Sequence, residues 1–389
     1  MLPGITLLSL PVLGQVRVDG QAYSMLYAWE NATSNQQWDN YHGLKLRLRP
    51  ENNNNLTVKA NLRFARRGDP GEWDERIYNA YVDWSPKGRH VQARAGRQFM
   101  YRGVINGSVD ALWLRTQPLR NLEVQAITGF RVPLDRSANV QSWVDGGVLG
   151  GFASFRFDRQ SHFDVSYVQR QRSGKVAWRQ LGSALNGAFP GGWYYQMRVD
   201  YNLEQSEVQT LRVRAYYNAG RWLLSGEYNN ERPRVFEDSF FNLFELNGFD
   251  QFRGGVTYRL GLYRVGAQFT HTSFEASNHN DRIEVTAANR WGTLGLIYQN
   301  GFGGDNVGVF GDVRYDLVHN LTVQVRSSHY NFERRTISID EDATSFSGGV
   351  IFRPVPSLAL NAGIQQSLNT FYSHDFRALF KVNYRFRTQ

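Results

Sequence analysis

Apolar and polar residues alternate along most of the chain from position 15 onward. Val58 and Leu62 fall on one side of such a segment, while Lys59 and Arg63 fall on the other. The same period of two returns near the C-terminus, over residues 375–386. Because successive side chains of a β-strand point to opposite faces, this pattern predicts strands with one apolar and one polar face.

The links between these segments also follow a rhythm. Short links such as 86–88, 158–160 and 219–220 alternate with links that are mostly longer, such as 131–146 and 230–250. Short turns on one rim and long loops on the other are typical of barrels that cross the bacterial outer membrane, with the short turns on the periplasmic side. We therefore predict an all-β fold: a single transmembrane antiparallel β-barrel of about 22 strands, within a range of 18–22.

The first fourteen residues differ from the rest. Residues 1–14, MLPGITLLSLPVLG, are apolar and end in small residues, as the core and cleavage region of a secretory signal do. Pro3 and Pro11 disfavour the alternatives, a first strand or a buried plug. We interpret residues 1–14 as a truncated signal peptide and residues 15–389 as the barrel.

Composition excludes several other classes of protein. Of the 389 residues 41% are hydrophobic, and no run approaches the roughly 20 apolar residues of a spanning helix. The absence of cysteine excludes disulfides, thiolate metal sites and covalently attached c-type haem in this chain. We expect no cofactor.

Catalytic and metal-binding motifs are equally scarce. No Gly-x-Ser-x-Gly, phosphate-binding loop or His-Glu-x-x-His motif is present, so we predict that the chain is not an enzyme. A site assembled from distant strands, as in barrel proteases and phospholipases, stays open as an alternative. His271, Glu275 and His279 lie close in sequence, but they run from a strand end into a loop and no metal site is predicted there.

The polar faces carry more basic than acidic residues, in keeping with a net charge of +9. If the apolar faces meet lipid, the polar faces line a lumen whose field attracts anions. The alternative is that the charges pair into ladders that only stiffen the wall. Regular spacing, without a basic cluster or recognition helix, argues against nucleic acid as a partner. The predicted pore-lining residues are Lys45, Arg47, Arg49, Lys59, Arg63, Arg94, Arg198, Arg212, Arg214, Arg259, Arg264, Arg314, Arg326, Arg377, Lys381 and Arg385, against the acidic Asp83, Glu123, Asp164, Asp200, Asp312, Asp316 and Asp375.

Two sets of apolar residues are expected to contact the membrane. Aromatic residues near strand ends predict girdles at headgroup level, and apolar residues between charged neighbours predict the lipid-facing surface. The predicted girdle residues are Trp84, Trp113, Trp193, Trp222, Trp291, Tyr384 and Phe386. The predicted lipid-facing residues include Leu56, Val58, Leu62, Val213, Phe380 and Val382.

The link 230–250 is too rich in phenylalanine for a loop that only contacts water. It is expected to fold against something: the barrel interior as a constriction or cap, a partner protein, or simply the rim. Its aromatic residues are Phe236, Phe240, Phe241, Phe244 and Phe249.

Two segments resemble known families. The last strand, Phe380 to Phe386, has aromatic residues on alternate positions and resembles the C-terminal signal of outer-membrane barrels, although three residues follow it here. Within 77–130, the blocks 78–83 (YNAYVD), 96–98 (GRQ) and 110–115 (DALWLR) resemble the strands of porin-like alginate-export barrels. The resemblance implies an outer-membrane location; the second segment covers only part of the chain and does not by itself identify a substrate.

Two functions are consistent with these features. The first is a pore for anionic or polar solutes, including acidic polysaccharide, without catalysis. The second is a sheath or scaffold around a partner protein, such as a cytochrome of a transmembrane electron conduit, because barrels of about 22 strands are wide and usually plugged. The expected partners are the bilayer, the solutes and, in the second case, a periplasmic or lumen-filling protein.

Overall fold

The structure is a computed structural model. It describes residues 16–30, 35–51, 53, 55–68, 71–88, 90–233, 248–274, 278–302, 304–334, 339–369 and 375–388. Within these ranges no helix is long and apolar enough to cross a membrane.

Twenty-two antiparallel strands form one closed sheet. Each strand pairs with its neighbours in sequence, and β1 closes the barrel by pairing with both β2 and β22. A single helical turn, α1, precedes β8. The predicted fold and strand number are therefore confirmed. The elements are β1 (Val16–Glu30), β2 (Gln36–Pro50), β3 (Leu56–Arg67), β4 (Trp73–Trp84), β5 (Val91–Arg102), β6 (Ile105–Leu119), β7 (Leu122–Arg131), α1 (Trp143–Gly146), β8 (Gly147–Arg156), β9 (His162–Arg172), β10 (Lys175–Phe189), β11 (Trp193–Asn202), β12 (Glu207–Ala219), β13 (Trp222–Glu231), β14 (Phe249–Leu260), β15 (Tyr263–Phe274), β16 (His279–Ala288), β17 (Gly292–Gly301), β18 (Asn306–Val318), β19 (Leu321–Arg334), β20 (Ile339–Val355), β21 (Leu358–Asn369) and β22 (Asp375–Arg387).

The period of two carries into the sheet, because residues paired across strands share a face. Val213 pairs with Met197 on one side and Tyr228 on the other, so this face stays apolar from strand to strand. On β17 the residues Leu294 and Leu296 are 60% and 58% exposed. Large apolar side chains exposed in such numbers form the surface that contacts lipid in a membrane barrel. The register places all six predicted lipid-facing residues on this face.

Both rims follow the predicted rhythm, with differences in detail. At the rim where β1 begins and β22 ends, two residues connect β12 to β13, and Gly220 has the left-handed φ of +65° that such a tight turn needs. At the opposite rim the strands extend into several segments that the sequence predicts as loops. β2 begins at Gln36 and β20 at Ile339, because their backbone groups continue to pair with β1 and β19.

Two of the predicted girdle residues pack against neighbouring aromatic rings at the periplasmic rim, whereas Trp113 does not lie there. Trp193 stacks on Tyr217 with 4.5 Å between ring centroids, and Trp222 lies 4.5 Å from Tyr258. Trp113 is 6% exposed and lies on the opposite, polar face of the sheet. Its assignment to the girdle is wrong because Trp113 is buried inside the barrel, in one cluster with Met100 and Val104.

Candidate pore lining and constriction

The polar face of the sheet is the inside of the barrel. The backbone N–H of Val104, in the β5–β6 turn, donates to Ser166 Oγ on β9 at 3.0 Å. Arg198, on β11, donates to the carbonyl oxygen of Gly103 at 3.1 Å. Strands this far apart in the sheet can meet only across the concave face of a closed barrel, and Ser166 and Arg198 both lie on the polar face.

The register places all sixteen predicted pore-lining residues on this concave face. Arg47 illustrates the arrangement, because in the strand register it lies opposite Asp19 on β1 and opposite Lys59 on β3. The predicted acidic residues lie on the same face, as do several charged residues that were not predicted. The unpredicted members include Arg17, Asp19, Asp39, Asp74, Glu227, Arg253, Arg282, Glu284 and Arg387.

Many of these charges are paired. Arg94 contacts Asp83 at 2.7 Å, Arg198 contacts Asp200 at 2.7 Å, and Arg377 contacts Asp375 at 2.7 Å. Glu227 accepts from both Arg212 and Arg214. At these places the ladder interpretation describes the wall correctly, since a paired guanidinium attracts a passing anion weakly.

The periplasmic mouth has a different charge pattern. A cavity of about 880 Å³ there is lined by Lys45, Arg47, Lys59 and Arg385, and Asp19 is its only acidic lining residue. Asp19 is already bound by Arg387. Within the described part of the chain none of the four basic residues forms an ion pair. We call these four residues the basic mouth.

A re-entrant hairpin narrows the lumen towards the rim opposite the basic mouth. The end of β5, the turn at 103–104 and the start of β6 leave the wall and pack against β7, β8 and β9. Met100, Val104 and Ile105 are at most 5% exposed, and they cluster with Val148 and Val168. We call residues 98–109 the lumen hairpin. Its opposite side is open: Phe99 is 57% and Tyr101 is 67% exposed.

The sequence analysis considered the link 230–250 as a constriction or cap, a partner-binding loop or a cover of the rim, and these stay predictions. Of the five phenylalanines of this link, Phe236, Phe240, Phe241 and Phe244 lie outside the described residues. Phe249 is the first residue of β14, where it pairs with Glu231 and Phe274. The sequence of β6 carries a signal of the lumen hairpin. Leu112, Trp113 and Leu114 are apolar on both faces of β6, and strands without alternation are typically covered on both faces.

Where the lumen hairpin leaves the wall, a loop fills the gap. β4 pairs with β5 only over residues 80–84 and 93–97. Beyond that point the backbone N–H of Ile77 donates instead to the carbonyl oxygen of Arg136 at 2.9 Å. Arg97 is 5% exposed there, and it binds both carboxylate oxygens of Asp110 and the carbonyl oxygens of Ser137 and Asn139. We call residues 132–142 the wall loop.

The histidines considered as metal ligands lie away from the lumen. His271 pairs with Phe252 of β14 on the convex face, and its Nδ1 lies 2.6 Å from Asp281. Glu275 lies outside the described residues. Among the described residues no group of three or more histidine or acidic side chains could hold a metal ion.

One solved structure supports this fold. The translocation pore of the P pilus usher PapC has a TM-score of 0.54 at 8% identity, covering 96% of this chain and 100% of that chain. The outer membrane protein OpdK from Pseudomonas aeruginosa has a TM-score of 0.45 at 12% identity, covering 96% and 99%. The protein is a closed antiparallel β-barrel. No protein family matches this barrel, and no curated protein matches it, so the resemblance of residues 77–130 to alginate-export barrels stays a prediction.

Proposed function

We propose that this barrel is a passive pore for anionic solutes, with the basic mouth as the element that selects charge. The supporting observation is the concentration of four basic residues, without ion-pair partners in the described chain, around one cavity at the periplasmic rim. Arginine and lysine lining a water-filled passage attract anions and exclude small cations. Acidic polysaccharide is one class of solute that meets this description.

The lumen hairpin favours the pore over the sheath. A protein held inside the barrel would need the space that this hairpin takes. Its surface would also have to pack against the exposed aromatic rings of Phe99 and Tyr101. The hairpin is fixed to the opposite wall by buried apolar contacts and by the bonds to Ser166 and Arg198, so it is not a segment that swings aside without cost. No step of the proposal requires catalysis.

Reversal potentials in planar bilayers test the proposal. Under a gradient of potassium chloride at low ionic strength, the wild-type pore should pass chloride more readily than potassium. The preference should weaken as salt rises, because the Debye length falls from about 10 Å at 0.1 M to about 3 Å at 1 M.

Replacing Lys45, Arg47, Lys59 and Arg385 together by glutamine should move the reversal potential toward potassium. The matched control is Asp83→Asn with Arg94→Gln, which removes two lumen charges but leaves the net charge unchanged, and it should leave the reversal potential in place. A wild-type pore that selects cations at low salt would contradict the proposal. A closed barrel that co-purifies with a haem protein would favour the sheath instead.

A further inference from the structure

A second cavity lies between the lumen hairpin and the wall loop. It has a volume of about 280 Å³, and its floor is apolar. Ile105 and Val109 come from the hairpin, Val132 from the wall loop, and Val148 and Val168 from the barrel wall; all five are at most 6% exposed. The cavity lies far from the basic mouth, which is at the opposite rim.

The rim of this cavity is cationic. Arg131, Arg136 and Arg170 line it, and no aspartate or glutamate is among its lining residues. Arg170 donates to the carbonyl oxygen of Asn106 on the hairpin at 2.7 Å. The guanidinium of Arg136 lies 4.6 Å from the ring centroid of Tyr78. These contacts orient two of the arginines, while Arg131 forms no ion pair within the described chain.

An apolar floor beneath a cationic rim fits one chemical class of ligand, an apolar chain that ends in an anionic group. The floor excludes water because it offers few hydrogen-bonding partners, so burying a hydrocarbon there is favourable. At the roughly 30 Å³ that a water molecule takes, a volume of about 280 Å³ holds about nine groups of that size, which corresponds to an eight-carbon carboxylate. Phe99 and Leu134, which are 57% and 95% exposed, border the opening.

We propose that this cavity binds a medium-chain fatty-acid anion, with its tail against Val109 and Val148 and its carboxylate at Arg131. The proposal goes beyond the pore function, since it concerns a separate site formed by the hairpin and the wall loop. A ligand there would lie between the lumen hairpin and the wall loop, so its binding would be linked to the position of the hairpin in the lumen.

Photolabelling tests the site without requiring conduction. The probe is octanoate carrying a diazirine at its tail, added to the full barrel in phospholipid nanodiscs, with labelled peptides mapped by mass spectrometry. Labels should fall on residues 99–109 and 131–136. Unlabelled octanoate should compete, whereas acetate, which lacks the tail, and octylammonium, which has the opposite charge, should not.

Two variants address the two halves of the site. Val109→Phe should fill the apolar floor, and Arg131→Gln should remove the cation; each should weaken competition by octanoate about tenfold or more, as expected for lost burial or a lost charge-assisted bond. Arg120→Gln, in a periplasmic turn, should compete as wild type does. Folding of each variant is checked by the shift in gel mobility on heating, and Arg131→Gln keeps the test decisive if Val109→Phe does not fold.

Three outcomes would overturn the proposal: labels confined to the lipid-facing surface, equal competition by octylammonium or acetate, or unchanged competition in a folded Arg131→Gln barrel. None of them bears on anion selectivity, because the proposed pore function assigns the reversal potential to the basic mouth. Likewise, a barrel that proved cation-selective would leave the labelling result intact.

Discussion

Removing the guanidinium of Arg97 should loosen the place where a loop replaces a strand in the barrel wall. Its side chain is 5% exposed and that of Asp110 is 12% exposed, and two bonds of 2.8 and 2.9 Å join them. Arg97 also binds the carbonyl oxygens of Ser137 and Asn139 in the wall loop at 2.5 and 3.0 Å. Breaking a buried pair by removing one partner costs about 3–5 kcal/mol, since the other charge is left buried alone. Arg97→Leu should lower the free energy of unfolding by about that amount.

Urea unfolding in phospholipid vesicles, followed by tryptophan fluorescence, measures this change. The matched control is Arg282→Leu: Arg282 pairs with Glu284 at 2.7 Å but is 42% exposed, so its loss should cost about 0–1 kcal/mol. The double variant Arg97→Leu with Asp110→Leu should recover part of the loss, because no buried charge is then left alone. Equal effects of Arg97→Leu and Arg282→Leu, or a double variant no more stable than Arg97→Leu, would refute the reasoning.

Three further changes test other parts of the molecule. Val213→Arg should impair insertion by about 2–4 kcal/mol if it lies near the middle of the bilayer, while Arg212→Leu should insert normally; the reverse result, in vesicle-insertion assays, would invert the assignment of faces. Gly182→Ala should displace the lumen hairpin from the wall into the lumen, because the added Cβ would lie 2.5 Å from a methyl carbon of Val104, and single-channel conductance should fall. The control Gly226→Ala adds a Cβ with nothing within 4 Å and should conduct as wild type does. The backbone N–H groups of Gln160 and Ser161 lower the pKa of Asp158 in a periplasmic turn, so this turn should lose their stabilisation only as pH falls through that lowered pKa. Loss of protection of the Ser161 amide, measured against its intrinsic exchange rate, at a pH well above the ordinary pKa of aspartate would contradict this.

The architecture could be predicted from sequence because it depends on a local rule. Alternation of residues such as Val213 and Arg212 assigns each strand its two faces, and the rhythm of the links fixes which rim each turn belongs to. Both signals repeat with every strand, so a wrong assignment of one strand or link does not change the predicted fold. The placement of charged residues on the concave face follows from the same rule.

Pairing between charges could not be predicted in the same way. Arg212 and Arg214 share Glu227, which lies on the neighbouring strand, so their partner depends on the register between β12 and β13. Lys45 and Arg47 alternate with apolar residues in the same way. They lie where β22, β1, β2 and β3 meet, and Asp19 is the one acidic residue that lines the cavity there. Sequence alone gives all four residues equal weight, whereas the register distinguishes the wall ladder from the basic mouth.

The lumen hairpin shows why departures from the rule carry information. Two apolar faces on one strand cannot both meet lipid, so Trp113 requires something inside the barrel to cover it, and Met100 and Val104 provide that cover at the same wall. Where the hairpin leaves the wall, residues 73–79 of β4 have no partner on β5. Unpaired backbone groups at membrane depth must be satisfied by other protein groups. The wall loop and Arg97 meet that requirement. One inward-folded hairpin therefore accounts for the constriction, for the loop in the wall and for the buried arginine between them.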